Sequence, residues 1–247
     1  MLTIGRYRAR RASTPADLLA AQSLRARAFF DRVAPPDQDA FDPFCTHILI
    51  DDLFTAQLVC CFRMLPLDDG TQIARSYSAQ FYDLSALAGY DAPMAEVGRF
   101  CMDPQAHDPD ILRVALGGMA KFVDETGIEL LFGCSSFKGL DPQPYNDAFA
   151  MLRQHHLAPE RWTPKVKAPS IYPFAERVRQ HKRDRLAGLR STPPLLRTYL
   201  SMGGWVSDHA VHDPDMNTLH VFTGLEISAV PPARKRLLRH VAGYSPA

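Results

Sequence analysis

The run Glu96-Val-Gly-Arg-Phe-Cys-Met102 sets a carboxylate and a guanidinium three positions apart in an otherwise apolar, strand-like stretch. Charges at such a place are costly unless they are paired or used. Glu96 is suited to take a proton from an amine, directly or through water. Arg99 is suited to hold an anion or to orient a carboxylate. On a straight strand, positions three apart face opposite sides, so a shared face requires a bulge or the strand's end; the alternative is a structural ion pair at a sheet edge. Upstream, Asp39 and Asp42 form D-x-x-D. Two such carboxylates suit a substrate ammonium or a metal, with a helix cap or a solvated loop as the competing account. Arg25 shares a helical face with Phe29. Arg63 stands in the apolar strand Cys60-Cys-Phe-Arg-Met-Leu65 and needs a buried partner, which Asp39 or Asp42 would supply. These residues suggest a small polar active site on an α/β core, acting on a cationic or amine-bearing substrate.

Other chemistries find less support. Cys134-Ser-Ser136 lacks the Gly-x-Ser-x-Gly frame of a nucleophile elbow, and no hydrolase triad can be assembled. His209, His212, Asp213 and Asp215 read as an Asp-rich turn rather than a metal cluster. No dinucleotide or phosphate-loop signature is present. The five cysteines, Cys45, Cys60, Cys61, Cys101 and Cys134, contain no C-x-x-C and read as reduced thiols. No metal and no bound cofactor are expected.

The elements that must position these residues follow from pattern. Residues 1–14 read as a first strand or arm. Thr14 caps a helix that opens with Pro15 and runs to about Phe30, with Leu18, Leu24, Ala28 and Phe29 inward. Strands are expected at His47–Ile50, Gln57–Leu65 and Met94–Met102, with Asp51–Thr55 as the turn between the first two. A helix over Ile111–Glu125 ends at Gly127. A strand over Glu129–Phe137 and a helix over Tyr145–His155 follow. A short helix, Leu195–Met202, precedes a terminal hairpin across 205–227. This order implies a mixed sheet with helices on both faces. With 247 residues, 46% hydrophobic and 22% charged, the chain is expected to form a single domain over 1–247, basic segment and hairpin included.

The net charge of +1 gives no reason to expect nucleic acid. Neither a signal peptide nor a membrane-spanning run is evident, so the expected location is the cytoplasm, with peripheral contact at the inner membrane. One charge anomaly stands out: residues 175–190 carry six basic side chains against two acidic ones, a net +4. Arg177, Arg179, Lys182, Arg183 and Arg185 belong to it. An acidic protein surface and anionic lipid headgroups would both be drawn to it, and a plain solvated helix is the alternative.

At these residues the chain resembles the ornithine-lipid type of N-acyltransferase, the lyso-ornithine-lipid synthase branch of the GNAT superfamily, related in fold to acyl-homoserine-lactone synthases. The matching pieces include Leu24-Arg25 with Phe29, Asp39-x-x-Asp42, Phe62-Arg63-Met-Leu65, Glu96-Val-Gly-Arg-Phe100, Leu131-Phe-Gly-Cys-Ser-Ser136 and Gly203-Gly-Trp205. The resemblance spans roughly residues 20–230. It implies an α/β, GNAT-like fold: a mixed central sheet flanked by helices, with a C-terminal extension. It also implies transfer of a 3-hydroxyacyl chain from acyl carrier protein to the α-amine of ornithine, or of a similar amino acid such as glutamine. The donor would be the carrier-protein thioester and the partners that carrier and the amino acid. Glu96 would be the base. Arg25, Asp39, Asp42, Arg63 and Arg99 would form the surrounding network, the first four ordering an N-terminal lid. The strand at Phe132, Gly133 and Cys134 would hold the thioester carbonyl and its oxyanion.

One segment departs from the family pattern. A typical GNAT has a glycine-rich basic turn after the central strand. Here Asp103-Pro-Gln-Ala-His-Asp-Pro-Asp-Ile111 has neither Gly nor Arg, which favours a carrier-protein donor over free coenzyme A. A homoserine-lactone synthase is the nearest competing function and a non-catalytic acyl- or lipid-binding module the more distant one.

Overall fold

The computed structural model describes residues 2–178 and 184–241. In chain order the elements are β1 (Leu2–Ile4), β2 (Tyr7–Arg11), α1 (Pro15–Phe30), β3 (Thr46–Asp52), β4 (Gln57–Leu67), β5 (Tyr82–Asp83), β6 (Met94–Met102), α2 (Pro109–Thr126), β7 (Leu130–Lys138), α3 (Asn146–His155), β8 (Lys165–Val166), β9 (Ile171–Tyr172), α4 (Phe174–Arg177), α5 (Arg185–Ser191), α6 (Pro194–Ser201), β10 (Trp205–Asp213), β11 (Thr218–Glu226) and α7 (Pro232–Val241). They group into two compact units. The first holds residues 2–66, 97–128 and 231–241; the second holds residues 67–96 and 129–230. Strand β6 passes from one to the other between Glu96 and Val97.

The first unit is antiparallel in β1, β2, β3 and β4. The N-terminal stretch, expected as one strand or arm, is a hairpin: Gly5 takes φ +53 and lets the chain reverse. Helix α1 begins with a full capping box, Thr14 accepting from the Asp17 amide and Asp17 accepting from the Thr14 amide. Its inner face is Ala21, Gln22, Leu24, Arg25 and Ala26, more polar than the expected apolar stripe. Ala21 and Leu24 pack with Leu49, Cys61 and Cys101. Helix α2 packs on Ala9 and Ile48 through Gly118, while Gly117 abuts Leu2 and Val241 of α7. By strand alternation Ile48 and Leu49 point to opposite faces, so α1 and α2 cover the two sides.

In the second unit β6 and β7 run parallel, with Met94, Ala95 and Glu96 opposite Leu130, Leu131 and Phe132. Strand β7 pairs antiparallel with β11 over its whole length, Leu130 opposite Glu226 and Lys138 opposite Thr218. Strands β10 and β9 follow outward. The expected terminal hairpin is therefore present, and it supplies the neighbour of a central strand. One face carries Phe137, Leu219, Val221, Val206 and Ala210 beneath Phe149, Phe174 and Leu196. The opposite face carries Phe132, Cys134, His220 and Phe222, and residues 70–90 fold over it as three short 3-10 turns around β5. These turns are what the aromatic and polar run 75–90 becomes; Phe81 and Tyr82 seat their rings on His220.

No helix among the described residues is long and apolar enough to cross a membrane. The cover formed by residues 70–90 depends on close backbone contact at Gly70, where a Cβ would come within 1.9 Å of the Leu87 carbonyl oxygen. Gly70→Ala should lower stability by about 2–3 kcal/mol, read as a shift in the urea midpoint at unchanged slope.

Candidate active site

The five expected network residues meet in one buried ion cluster of the first unit. Arg25 is fully buried. Its Nε donates to Asp37 Oδ2 at 2.8 Å, its Nη1 to Asp42 Oδ1 at 2.8 Å and its Nη2 to Asp42 Oδ2 at 3.0 Å. Nη2 also donates to the Asp37 carbonyl. Arg63 Nη1 bridges Asp39 Oδ1 at 2.5 Å and Asp42 Oδ1 at 2.6 Å, and Nη2 reaches Asp39 Oδ2 at 2.8 Å. Arg99 Nη2 donates to the same Asp39 oxygen at 3.0 Å, and its Nε lies 3.2 Å from Asp37 Oδ2. Three guanidinium groups thus meet three carboxylates. Arg99 itself takes φ +52, a left-handed conformation that interrupts strand alternation within β6.

Burial by itself would push the Asp42 carboxyl up, but the bonds from Arg25, Gln22 and Arg63 overcome it and hold that group below the usual carboxylate range. Asp39 is lowered in the same way, burial opposed by Arg63 and Arg99. Asp37, Gln22 and His47 also belong to the cluster and were not anticipated. Gln22 Nε2 donates to Asp42 Oδ2 at 2.9 Å, and His47 Nε2 donates to the Asp42 carbonyl at 3.0 Å. A signal did exist for two of them: Asp37 extends the motif to D-x-D-x-x-D, and Gln22 precedes Arg25 by one helical turn.

Glu96 lies in the second unit and is 4% exposed. Its Oε1 accepts from the Ser78 amide at 2.7 Å and from Ser78 Oγ at 2.5 Å; its Oε2 accepts from the Tyr77 amide at 2.8 Å. Ser78 Oγ is also 3.4 Å from Cys134 Sγ. Phe132, of the expected thioester strand, sits opposite Glu96 in the parallel pair, and Gly133 and Cys134 continue along β7 opposite Thr223 and Phe222. Nothing in the sequence marked Ser78 or Tyr77, because the clamp they form exists only once the 3-10 turn is made.

The remaining candidates fall elsewhere. Arg177 is exposed at the end of α4; Arg179, Lys182 and Arg183 lie outside the described residues, as does the side chain of Arg185. His209 Nδ1 is 2.6 Å from Asp208, and Asp213 accepts from the Met216 amide to close the hairpin turn. Buried Cys61 and Cys101 approach to 3.6 Å between their sulfurs. The acidic stretch after β6 caps α2: Asp108 accepts from the Asp110 amide at 2.9 Å and from the Tyr7 hydroxyl at 2.9 Å. A carboxylate thus already occupies the positive end of that helix.

Residues 23–116 match the family model described as an acetyltransferase (GNAT) domain. The L-ornithine N(alpha)-acyltransferase of Rhodobacter capsulatus is 29% identical over 239 residues, covering 91% of this chain and 91% of its own length. The L-ornithine N(alpha)-acyltransferase of Brucella abortus is 28% identical, covering 92% and 86%. The chain is a GNAT-fold acyltransferase. Its fold is also that of FeeM, an N-acyl amino acid synthase from uncultured soil microbes, with a TM-score of 0.53 at 16% identity over 93% of this chain and 98% of FeeM.

Two pH windows follow for the acyltransferase. Burial, and then the neighbouring His209, lower His220 to about 4 from an ordinary 6.5. A neutral imidazole in the fold that charges on unfolding stabilises fully above 6.5, and this contribution fades as pH falls toward 4. Asp42 and Asp39, lowered below 3.8, stabilise fully above that value and lose their contribution as pH falls from it through their lowered folded-state values. Denaturation at stepped pH should show both slopes, and His220→Phe should flatten only the upper one. Arg25→Met at neutral pH should cost about 3–5 kcal/mol, since it strands buried carboxylates.

Proposed function

We propose that this acyltransferase moves a 3-hydroxyacyl chain from the thioester of acyl carrier protein to the α-amine of ornithine, or of a similar amino acid such as glutamine. This would be the first step in making an aminolipid. The observation that carries the reading is the similarity, over about nine-tenths of both chains, to the Rhodobacter L-ornithine N(alpha)-acyltransferase.

The chemistry runs as follows. Near neutral pH an α-ammonium must shed a proton before its nitrogen can attack. Glu96 accepts that proton, directly or through one water. The donors from Tyr77 and Ser78 address the ionised carboxylate, which is the form a base requires. The nitrogen adds to the thioester carbonyl carbon, and the developing oxyanion is held by backbone amides along Phe132, Gly133 and Cys134. Collapse breaks the C–S bond, and the pantetheine thiolate takes up a proton as the amide forms.

A carrier-protein donor fits two features. The turn that would cradle a coenzyme A pyrophosphate is acidic, with Asp108 on the α2 N-terminus. The segment 175–190, with its net +4, would steer an acidic carrier. Because the product is a lipid, the same segment would also touch the inner-membrane surface.

The test is thiol release from purified 3-hydroxyacyl carrier protein across a panel of amino acids, with mass analysis of the product. An open N-acyl amino acid from ornithine or glutamine is expected. Absence of thiol release with every acceptor, or a cyclised lactone as product, would overturn the proposal. Glu96→Gln should lower kcat by about a hundredfold or more while leaving the melting temperature near wild type. Added salt should slow turnover with the carrier donor and leave a short pantetheine thioester unaffected.

A further inference from the structure

Glu96 is the group on which the proposed chemistry turns, so its carboxylate must be aimed at the incoming amine. That task falls to residues 76–80, distant in sequence and folded over the same face. We propose that Ser78 is the positioning residue of Glu96, aiming its carboxylate and keeping it ionised until the substrate proton arrives. The inference rests on the reading of Glu96 as base.

Four observations carry it. Ser78 is fully buried, so its hydroxyl has no water with which to exchange partners. Its amide and its hydroxyl both address Oε1, at 2.7 and 2.5 Å, and this two-point contact allows one rotation of the carboxylate plane. The neighbouring Tyr77 amide takes Oε2 at 2.8 Å and closes the clamp. The turn that presents these donors is itself tied down: Ser76 Oγ donates to the Ile73 carbonyl at 2.7 Å and accepts from the Ala79 amide at 3.2 Å.

The hydroxyl carries one hydrogen, which decides its role. Toward an ionised Glu96, Ser78 must donate, and its oxygen is then an acceptor for the Cys134 thiol 3.4 Å away. Toward a protonated Glu96 carrying its hydrogen on Oε1, that donation is lost. The contact therefore favours the ionised form, and removing it must make the carboxylate easier to protonate.

The experiment is a pH profile of kcat/KM with 3-hydroxyacyl carrier protein and the best acceptor for wild type, Ser78→Ala, Ser78→Cys and Glu96→Gln, each checked for folding by thermal melting. The acidic limb reports the base in the free enzyme, while the alkaline limb reports the substrate amine and serves as an internal control. In Ser78→Ala the acidic limb should move up by about one pH unit, with a roughly tenfold fall in kcat/KM. Ser78→Cys, which keeps a weak donor of similar shape, should fall between Ser78→Ala and wild type. It also carries the test if the alanine variant does not fold. The alkaline limb should not move. An inactive Glu96→Gln beside an unmoved acidic limb in both Ser78 variants would overturn the role of Ser78 alone, including the case in which their rates fall. Wild-type rate and limb in Glu96→Gln would overturn the base reading, and the positioning role with it.

Discussion

Arg25 has no access to water, and much of the first unit is arranged around that fact. A guanidinium in such a place must find acceptors for its donors within the protein. It finds them in a loop that would otherwise have no reason to fold down: Asp37 and Asp42 are drawn onto α1, Asp42 brings Arg63 of β4, and Asp39 joins Arg63 to Arg99 of β6. One helix, one irregular segment and two strands are fixed by a single set of charges. Such a cluster is a poor source of net stability, since desolvation consumes most of what the pairing returns. What it supplies is geometric: few alternative packings of residues 31–45 satisfy three arginines at once.

The second unit solves a related problem with neutral donors. Glu96 is a buried carboxylate whose oxygens receive two backbone amides and one hydroxyl from a 3-10 turn. Amides on a short turn cannot swing away as a long arginine side chain can. The carboxylate is thereby held in place without a formal positive charge from those donors.

The elements themselves were largely readable. The α1 start was announced by Thr14-Pro15 with Asp17, and the α2 end by Gly127, because capping chemistry is local and leaves a local mark. Met94–Met102 emerged with the expected bounds. The pairing of Arg63 with Asp39 and Asp42 was legible too, since an arginine in an apolar strand demands a nearby acid. Long-range contacts were not legible. Ser78 meets Glu96 across 18 positions, and no periodicity reports such a contact. The β1–β2 hairpin was missed because β1 has only three residues and β2 is arginine-rich; the charges of Arg6 in the turn and of Arg8 and Arg10 on β2 are answered by Asp52 and Asp51 on β3, which pattern alone does not reveal. The polar inner face of α1 misled for the opposite reason: Gln22 and Arg25 look like surface residues until their acidic partners are known.

The backbone at Arg99 has a further consequence. A left-handed conformation costs a residue with a side chain on the order of 1 kcal/mol, and a turn of this kind is ordinarily assigned to glycine. Glycine is present next door, at Gly98, but takes no such conformation. Arginine occupies the unfavourable position, and its ion pairs with Asp37 and Asp39 offset the strain. The course of the strand that leads on from Glu96 is thus dictated by electrostatics, so the shape of the main chain and the pairing of Arg99 with two aspartates form one linked variable.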